Sequence, residues 1–189
     1  MQNKYADKKT IHRETMDLTQ HDLDEIIIKA ALLQKIDSVD AYYVDSITDD
    51  IYKKQPFLLS VLLGYHLDVT PLHLEELMKC YFLIWEYFKD NKNVQTKKIT
   101  KELFEKIQAR NISMLTYTDG ESERQQTVIY DHDLQNLKSK ALMTAIFFRF
   151  NTQANLADMD GEIKGMILMG IKTFIECFEI IVTDKSYAA

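Results

Sequence analysis

The chain has 189 residues, enough for one domain with a substantial core, and its 46% hydrophobic and 28% charged content is that of a globular protein rather than a disordered one. Only five glycines and two prolines are present. β-Sandwiches and barrels need many tight turns built from such residues, so the scarcity excludes them and predicts few, long helices. The formal charge of −6 argues against a general nucleic-acid partner, and no apolar run approaches the ~20 residues needed to span a bilayer.

Residues 1–18 show no apolar periodicity and read as a flexible polar tail without the pattern of a secretory signal. A single helical domain is expected over 19–183, a bundle of six to seven helices, with 184–189 as a short polar tail. Thr19 is a candidate N-cap, followed by Leu23, Ile26, Ile27, Ala30 and Leu33 at helical spacing. Asp37-Ser38 breaks this helix, and Val39, Tyr43, Ile47 and Ile51 mark a second, more acidic one.

Gln55-Pro56 is the clearest boundary of the first half. From Pro56 to Leu67 the chain is apolar nearly all round, which predicts a central, buried helix. Thr70-Pro71 restarts the chain as N-cap and first helical residue, and the new helix runs to about Asp90. Residues 90–98 read as a polar linker before a helix capped by Thr100. After a turn at Thr118-Asp119-Gly120, residues 121–130 are expected as helix, although Thr127–Tyr130 has strand propensity. Asp131 is the expected cap of the next helix, with Leu134, Leu137, Ala141, Ala145 and Phe148 as its buried stripe. Residues 151–158 read as a loop, and the last helix covers Met159 to Thr183.

The two halves, 18–90 and 99–182, align in outline and suggest a weak internal duplication. Ile99-Thr100 matches Leu18-Thr19, the run 142–150 matches 57–65, and Ile175–Phe178 matches Trp85–Phe88. The basic pairs Lys8-Lys9, Lys53-Lys54 and Lys97-Lys98 are expected at solvated helix ends. Cys80 and Cys177 lie among apolar residues without a CxxC or disulfide pattern, which fits a cytoplasmic protein with buried thiols.

Glu86 and Glu176 each interrupt a strongly apolar stretch. Such a carboxylate either sits on a solvated edge, the simpler expectation, or is buried and paired. If both faced one cavity with His73 and Glu76, they would form the only candidate catalytic group. No Glu-x-x-His occurs, so neither a metal nor another cofactor is expected. Glu102/Glu105 and Glu176/Glu179 have the spacing of the first metal motif of helical nucleotide pyrophosphohydrolases. The companion Glu-x-x-Asp occurs only at Glu14/Asp17, ahead of the first helix, so that chemistry is not carried over.

Gly161, Gly165 and Gly170 lie in the final helix, where Gly costs about 1 kcal/mol relative to Ala. A close helix contact is expected there, either with 134–150 through Ala141, Thr144 and Ala145, or with a second copy of the chain. Adjacent Tyr42 and Tyr43, framed by Asp40 and Asp45, cannot both face inward, and the outer one suits a protein contact. Two functions fit these residues. The favoured one is a non-enzymatic protein-interaction or regulatory module, acting on a protein partner or as a homodimer. The alternative is a helical-bundle enzyme, or a small-ligand or metal binder, with its site between the central apolar helices.

Overall fold

The computed structural model describes residues 40–118 and 120–184, together with Ile27, Ala30, Ala31 and residues 33–38. The expected N-terminal tail, the Thr19 cap and most of the first apolar stripe lie outside these residues. At the end of that stripe Leu33 and Ile36 are helical, and Ile36 is fully buried.

The fold is all-α, and among the described residues no strand occurs. The helices are α1 (Ala41–Lys54), α2 (Pro56–Gly64) with a 3-10 continuation (Tyr65–Leu67), α3 (Pro71–Phe88), α4 (Lys92–Thr96), α5 (Lys101–Thr118), α6 (Glu123–Asn136), α7 (Lys140–Thr152), α8 (Ala154–Ala157) and α9 (Gly161–Thr183). Their starts follow from local chemistry. Asp40 Oδ1 accepts from the Tyr43 N–H at 2.8 Å, Thr70 Oγ1 from His73 at 3.2 Å and Thr100 Oγ1 from Leu103 at 3.2 Å. Asp160 Oδ1 accepts from both Glu162 and Ile163, at 3.0 and 3.1 Å. Each contact satisfies an N–H that a first helical turn leaves without a partner.

The helices outnumber the six or seven expected because two stretches read as loops each coil into a short helix, α4 and α8. Val94 of α4 and Leu156 of α8 are fully buried, so each short helix plugs the core with one apolar side chain. Another correction concerns 121–150. α6 runs unbroken through Thr127–Tyr130 and through Asp131, so no helix begins there. The break falls at Leu137–Ser139, where the Ser139 N–H is taken by Glu179 Oε1 at 2.6 Å.

The core is centred on α3 and α9, and α9 packs most extensively on α5. Rings join these elements. Phe57, Phe104 and Phe174 cluster from α2, α5 and α9, and Phe88 stacks on Phe178 with centroids 4.9 Å apart. Leu59 and Leu62 are buried as the apolar stretch predicts, together with Phe82, Ile146, Phe174 and Phe178, and Phe57 is partly buried against them. Leu63 is 55% exposed, a correction: it lies in the last turn of α2, on the side no other helix covers. Phe148 is 52% exposed, because the buried arc of α7 is centred about one residue on, along Leu142, Ile146 and Arg149.

Gln55, at the α1–α2 boundary, is itself buried. It donates to the carbonyls of Val94 and Lys97 at 2.9 and 2.7 Å and accepts from the Ile99 N–H at 2.9 Å, tying the linker between halves to the first half. α1, α2 and α3 have 14, 9 and 18 residues; α6, α7 and α9 have 14, 13 and 23. Among the described residues no helix is long and apolar enough to cross a membrane.

Candidate functional site

Glu86 and Glu176 are both buried, at 8% exposure, so the solvated-edge expectation is corrected in favour of buried and paired. Glu86 accepts from Lys35 on the helix before α1 and from Lys89 one turn along α3, at 2.8 Å for the latter. Glu176 Oε1 meets Arg110 at 2.7 Å and Lys172 at 2.8 Å, while its Oε2 accepts from Asn111 Nδ2 at 2.7 Å. A third carboxylate, Glu76, is held by Arg149 at 2.7 Å and Lys79 at 2.6 Å. Arg149, itself 2% exposed, also pairs with Asp37.

These clamps set the electrostatics. Burial alone would raise the Glu86 carboxyl, but hydrogen bonds from Lys35 and Lys89 outweigh it and hold it below its ordinary 4.5. Glu76 is lowered the same way: Lys79 and Arg149 overcome its desolvation. Tyr43 turns inward beside Glu86, where burial and the neighbouring carboxylate raise its phenol. Burial pushes the Cys80 thiol, close to Arg149, up to about 12, and Cys177 likewise, so both stay protonated and unreactive. Glu76 and Glu86, each held ionised by two cations, carry no proton to give.

The four candidate catalytic residues are not brought together. His73 Nε2 faces Asp158 at 3.4 Å, Glu76 joins Arg149, and Glu86 and Glu176 line separate clefts. Among the described residues no three His, Cys, Asp or Glu side chains are grouped to hold a metal ion. The Glu176 cleft, about 550 Å³, lies between α5, α6 and α9 and is edged by Arg110, Asp133, Lys138 and Glu179. It adjoins a cleft of about 520 Å³ beside Glu86 and Phe88, with Lys138 and Glu179 shared between them.

The glycines divide. Gly170 is buried, and a Cβ there would lie 2.5 Å from the Tyr65 hydroxyl, so the close approach exists, but to the 3-10 turn and not to Ala141, Thr144 or Ala145. Gly161 and Gly165 have nothing within 4 Å of an added Cβ, so among the described residues no element crosses them closely. Gly161 is moreover the first residue of α9, where the cost of glycine in a helix interior does not apply.

The tyrosine pair divides as helical geometry requires. Tyr42 is 82% exposed while Tyr43 packs against the core. Tyr42 also belongs to a longer surface feature. Tyr42, Asp45, Asp49 and Tyr52 follow i, i+3, i+7, i+10 spacing, within an arc of about 80° on α1. All four are exposed, Tyr52 at 67%. Ile47 and Ile51 hold the opposite face of α1 in the core.

Sequence inspection singled out neither Arg149 nor Asn111. Arg149 was detectable by the test that found the two glutamates, since it breaks the run Phe147-Phe148-Arg149-Phe150. Asn111 carries no such signal, because it is buried only through the approach of α9 to α5.

Fold and site together define an all-α bundle whose buried charges are clamped in pairs and whose first complete helix shows solvent an aromatic and acidic stripe. No known family profile matches the chain, and no curated protein or solved structure matches it either.

Proposed function

We propose that this protein is a non-enzymatic interaction module that binds a basic polypeptide segment along the Tyr42–Tyr52 face of α1. The observation that carries this is the stripe itself: two exposed tyrosines bracketing two exposed aspartates on one narrow line of a helix fixed to the core by Ile47 and Ile51. Tyrosine is a favoured contact residue at protein interfaces, and its ring face attracts a guanidinium while the flanking carboxylates pair with it. Two copies of this face, brought together, would set Asp45 against like charge, while Asp49 is met by Lys53 of its own helix at 3.8 Å. The partner is therefore a different chain, rich in Arg or Lys, and neither nucleic acid nor a membrane. The clamped state of Glu76, Glu86 and Glu176 supports the same view, because it suits them to stability and not to acid–base work. Buried free thiols at Cys80 and Cys177 suit a reducing, cytoplasmic setting.

The two halves are read as copies of one unit. In support, the matched Glu86 and Glu176 are each buried against a cation from a preceding helix, and the matched Phe88 and Phe178 stack on one another.

The experiment is site-specific photo-cross-linking in cells, with the photo-reactive amino acid at Asp45 and, as control, at exposed Ser113 of α5. A discrete adduct with a basic protein from Asp45, absent from Ser113, is expected. No adduct from Asp45, or the same adducts from both positions, contradicts the proposal.

A further inference from the structure

A pocket of about 290 Å³ opens between α5, α6, α7 and α9, away from the α1 face and next to the Glu176 cleft, with which it shares Met114 and Asp133. Its walls carry three methionines, one from each of three helices: Met114, Met143 and Met169. Leu115, Leu134, Phe147 and Tyr130 complete the apolar lining, and the Asp133–Lys172 pair forms one polar end. That composition is the one small-ligand sites show: mostly apolar walls, a few fixed polar groups, and a volume near the lower end of the range.

We infer that this pocket binds a small flat aromatic group bearing an N–H donor, of the indole or aryl-amine class. The size admits one bicyclic ring system and little more. Methionine thioethers are soft and adjust to a planar guest, and sulfur makes favourable contacts with ring edges. The polar end selects for a donor. Lys172 Nζ donates to Asn111 Oδ1 and Glu176 Oε1 at 3.0 and 2.8 Å and is ion-paired with Asp133 Oδ2 at 3.1 Å, so its charge is already matched by three protein oxygens. Asp133 is met on Oδ2 alone, and among the described residues its Oδ1 accepts no hydrogen bond. A guest with an N–H is thus matched at that end by Asp133, whereas a guest with only an acceptor must compete with three protein oxygens for Lys172. The Lys172 bridge also fixes the Asp133 carboxylate before any ligand arrives, which lowers the ordering cost of binding.

The ring may be supplied in two ways, as a free heterocycle or as a tryptophan side chain of another polypeptide, and the same titration tells them apart. Protein labelled with ¹³C at the methionine methyls is titrated with indole, with 1-methylindole and with N-acetyltryptophanamide. Indole is expected to shift Met114, Met143 and Met169 saturably while Met78, Met159 and Met166 stay still. Removing the N–H in 1-methylindole is expected to weaken binding about fivefold, the worth of one ordinary buried hydrogen bond. Shifts with N-acetyltryptophanamide as well as indole assign the pocket to a peptide side chain; shifts with indole alone assign it to a free ligand. Met169→Trp, which fills the pocket from its wall, is expected to abolish the Met114 and Met143 shifts while the circular dichroism spectrum is unchanged. Shifts that extend equally to Met78, Met159 and Met166, or none that saturate, overturn the site. Equal binding of indole and 1-methylindole overturns the ligand class.

Discussion

At the scale of single residues, Glu86 has the most exposed consequence. Its carboxyl is held below 4.5 in the folded chain, against its burial, by Lys35 and Lys89. An unfolded chain loses those partners, so the group there titrates near its ordinary value. The stability it supplies is therefore complete above about pH 4.5 and is lost as pH falls through the lower folded value. Urea midpoints measured from pH 7 to pH 3 are expected to fall for the native chain. Glu86→Gln is expected to lower the midpoint at pH 7 and to flatten its decline with acid; parallel curves for the two proteins would show that Glu86 is not clamped. Gly170 offers a second test at this scale. Gly170→Ala forces the Tyr65 hydroxyl aside and is expected to destabilise the fold. Tyr65→Phe removes the hydroxyl and leaves the next ring atom at 3.8 Å, an ordinary contact, so the double variant is expected to recover most of the loss. Gly165→Ala meets nothing and is expected to stabilise by about 1 kcal/mol through helix propensity alone.

At the scale of elements, caps and prolines were the most legible signals. Thr70-Pro71, Gln55-Pro56 and Thr100 mark helix starts because their chemistry acts within one turn of chain, without help from the rest of the fold. The start expected at Asp131 lies inside α6, and the break falls instead at Leu137–Ser139, where Glu179, forty residues distant, holds the Ser139 N–H. Stripes were legible to within a residue or so. On α7 the error arose from seeking apolar residues only, since the buried arc includes Arg149, which reaches Glu76 and Asp37. On α2 an all-apolar helix gave no sign of which side faces water. Two truncations there separate the sides. Leu62→Ala, at a position 1% exposed, is expected to cost on the order of 2–5 kcal/mol. Leu63→Ala is expected to cost under ~0.5 kcal/mol by the usual size of surface substitutions. Thermal or urea unfolding of both variants measures the contrast, and similar losses would mean that Leu63 is covered.

At the scale of the whole molecule, the candidate site was half legible. The division of Tyr42 from Tyr43 follows from helical geometry, and so does the acidic frame. The extension to Asp49 and Tyr52 needed α1 to continue as one unbroken helix to Lys54. The fate of the candidate catalytic residues was not legible, because Glu86, Glu176, Glu76 and His73 are separated by the way helices are arranged in space and not by anything near them in the chain. What emerges is a division of labour. Charges inside the bundle are matched to hold helices to one another, and the outer line of α1 is the face we propose for a partner. The most direct measurement of that division is the double variant Tyr42→Ser/Tyr52→Ser, melted in parallel with the native chain and cross-linked in cells from Asp45. The expected result is a melting temperature within about 2 °C of the native chain, as for surface substitutions, with the basic partner's adduct lost. An adduct of undiminished yield, or a melting temperature that collapses with it, would contradict the assignment of this face to binding.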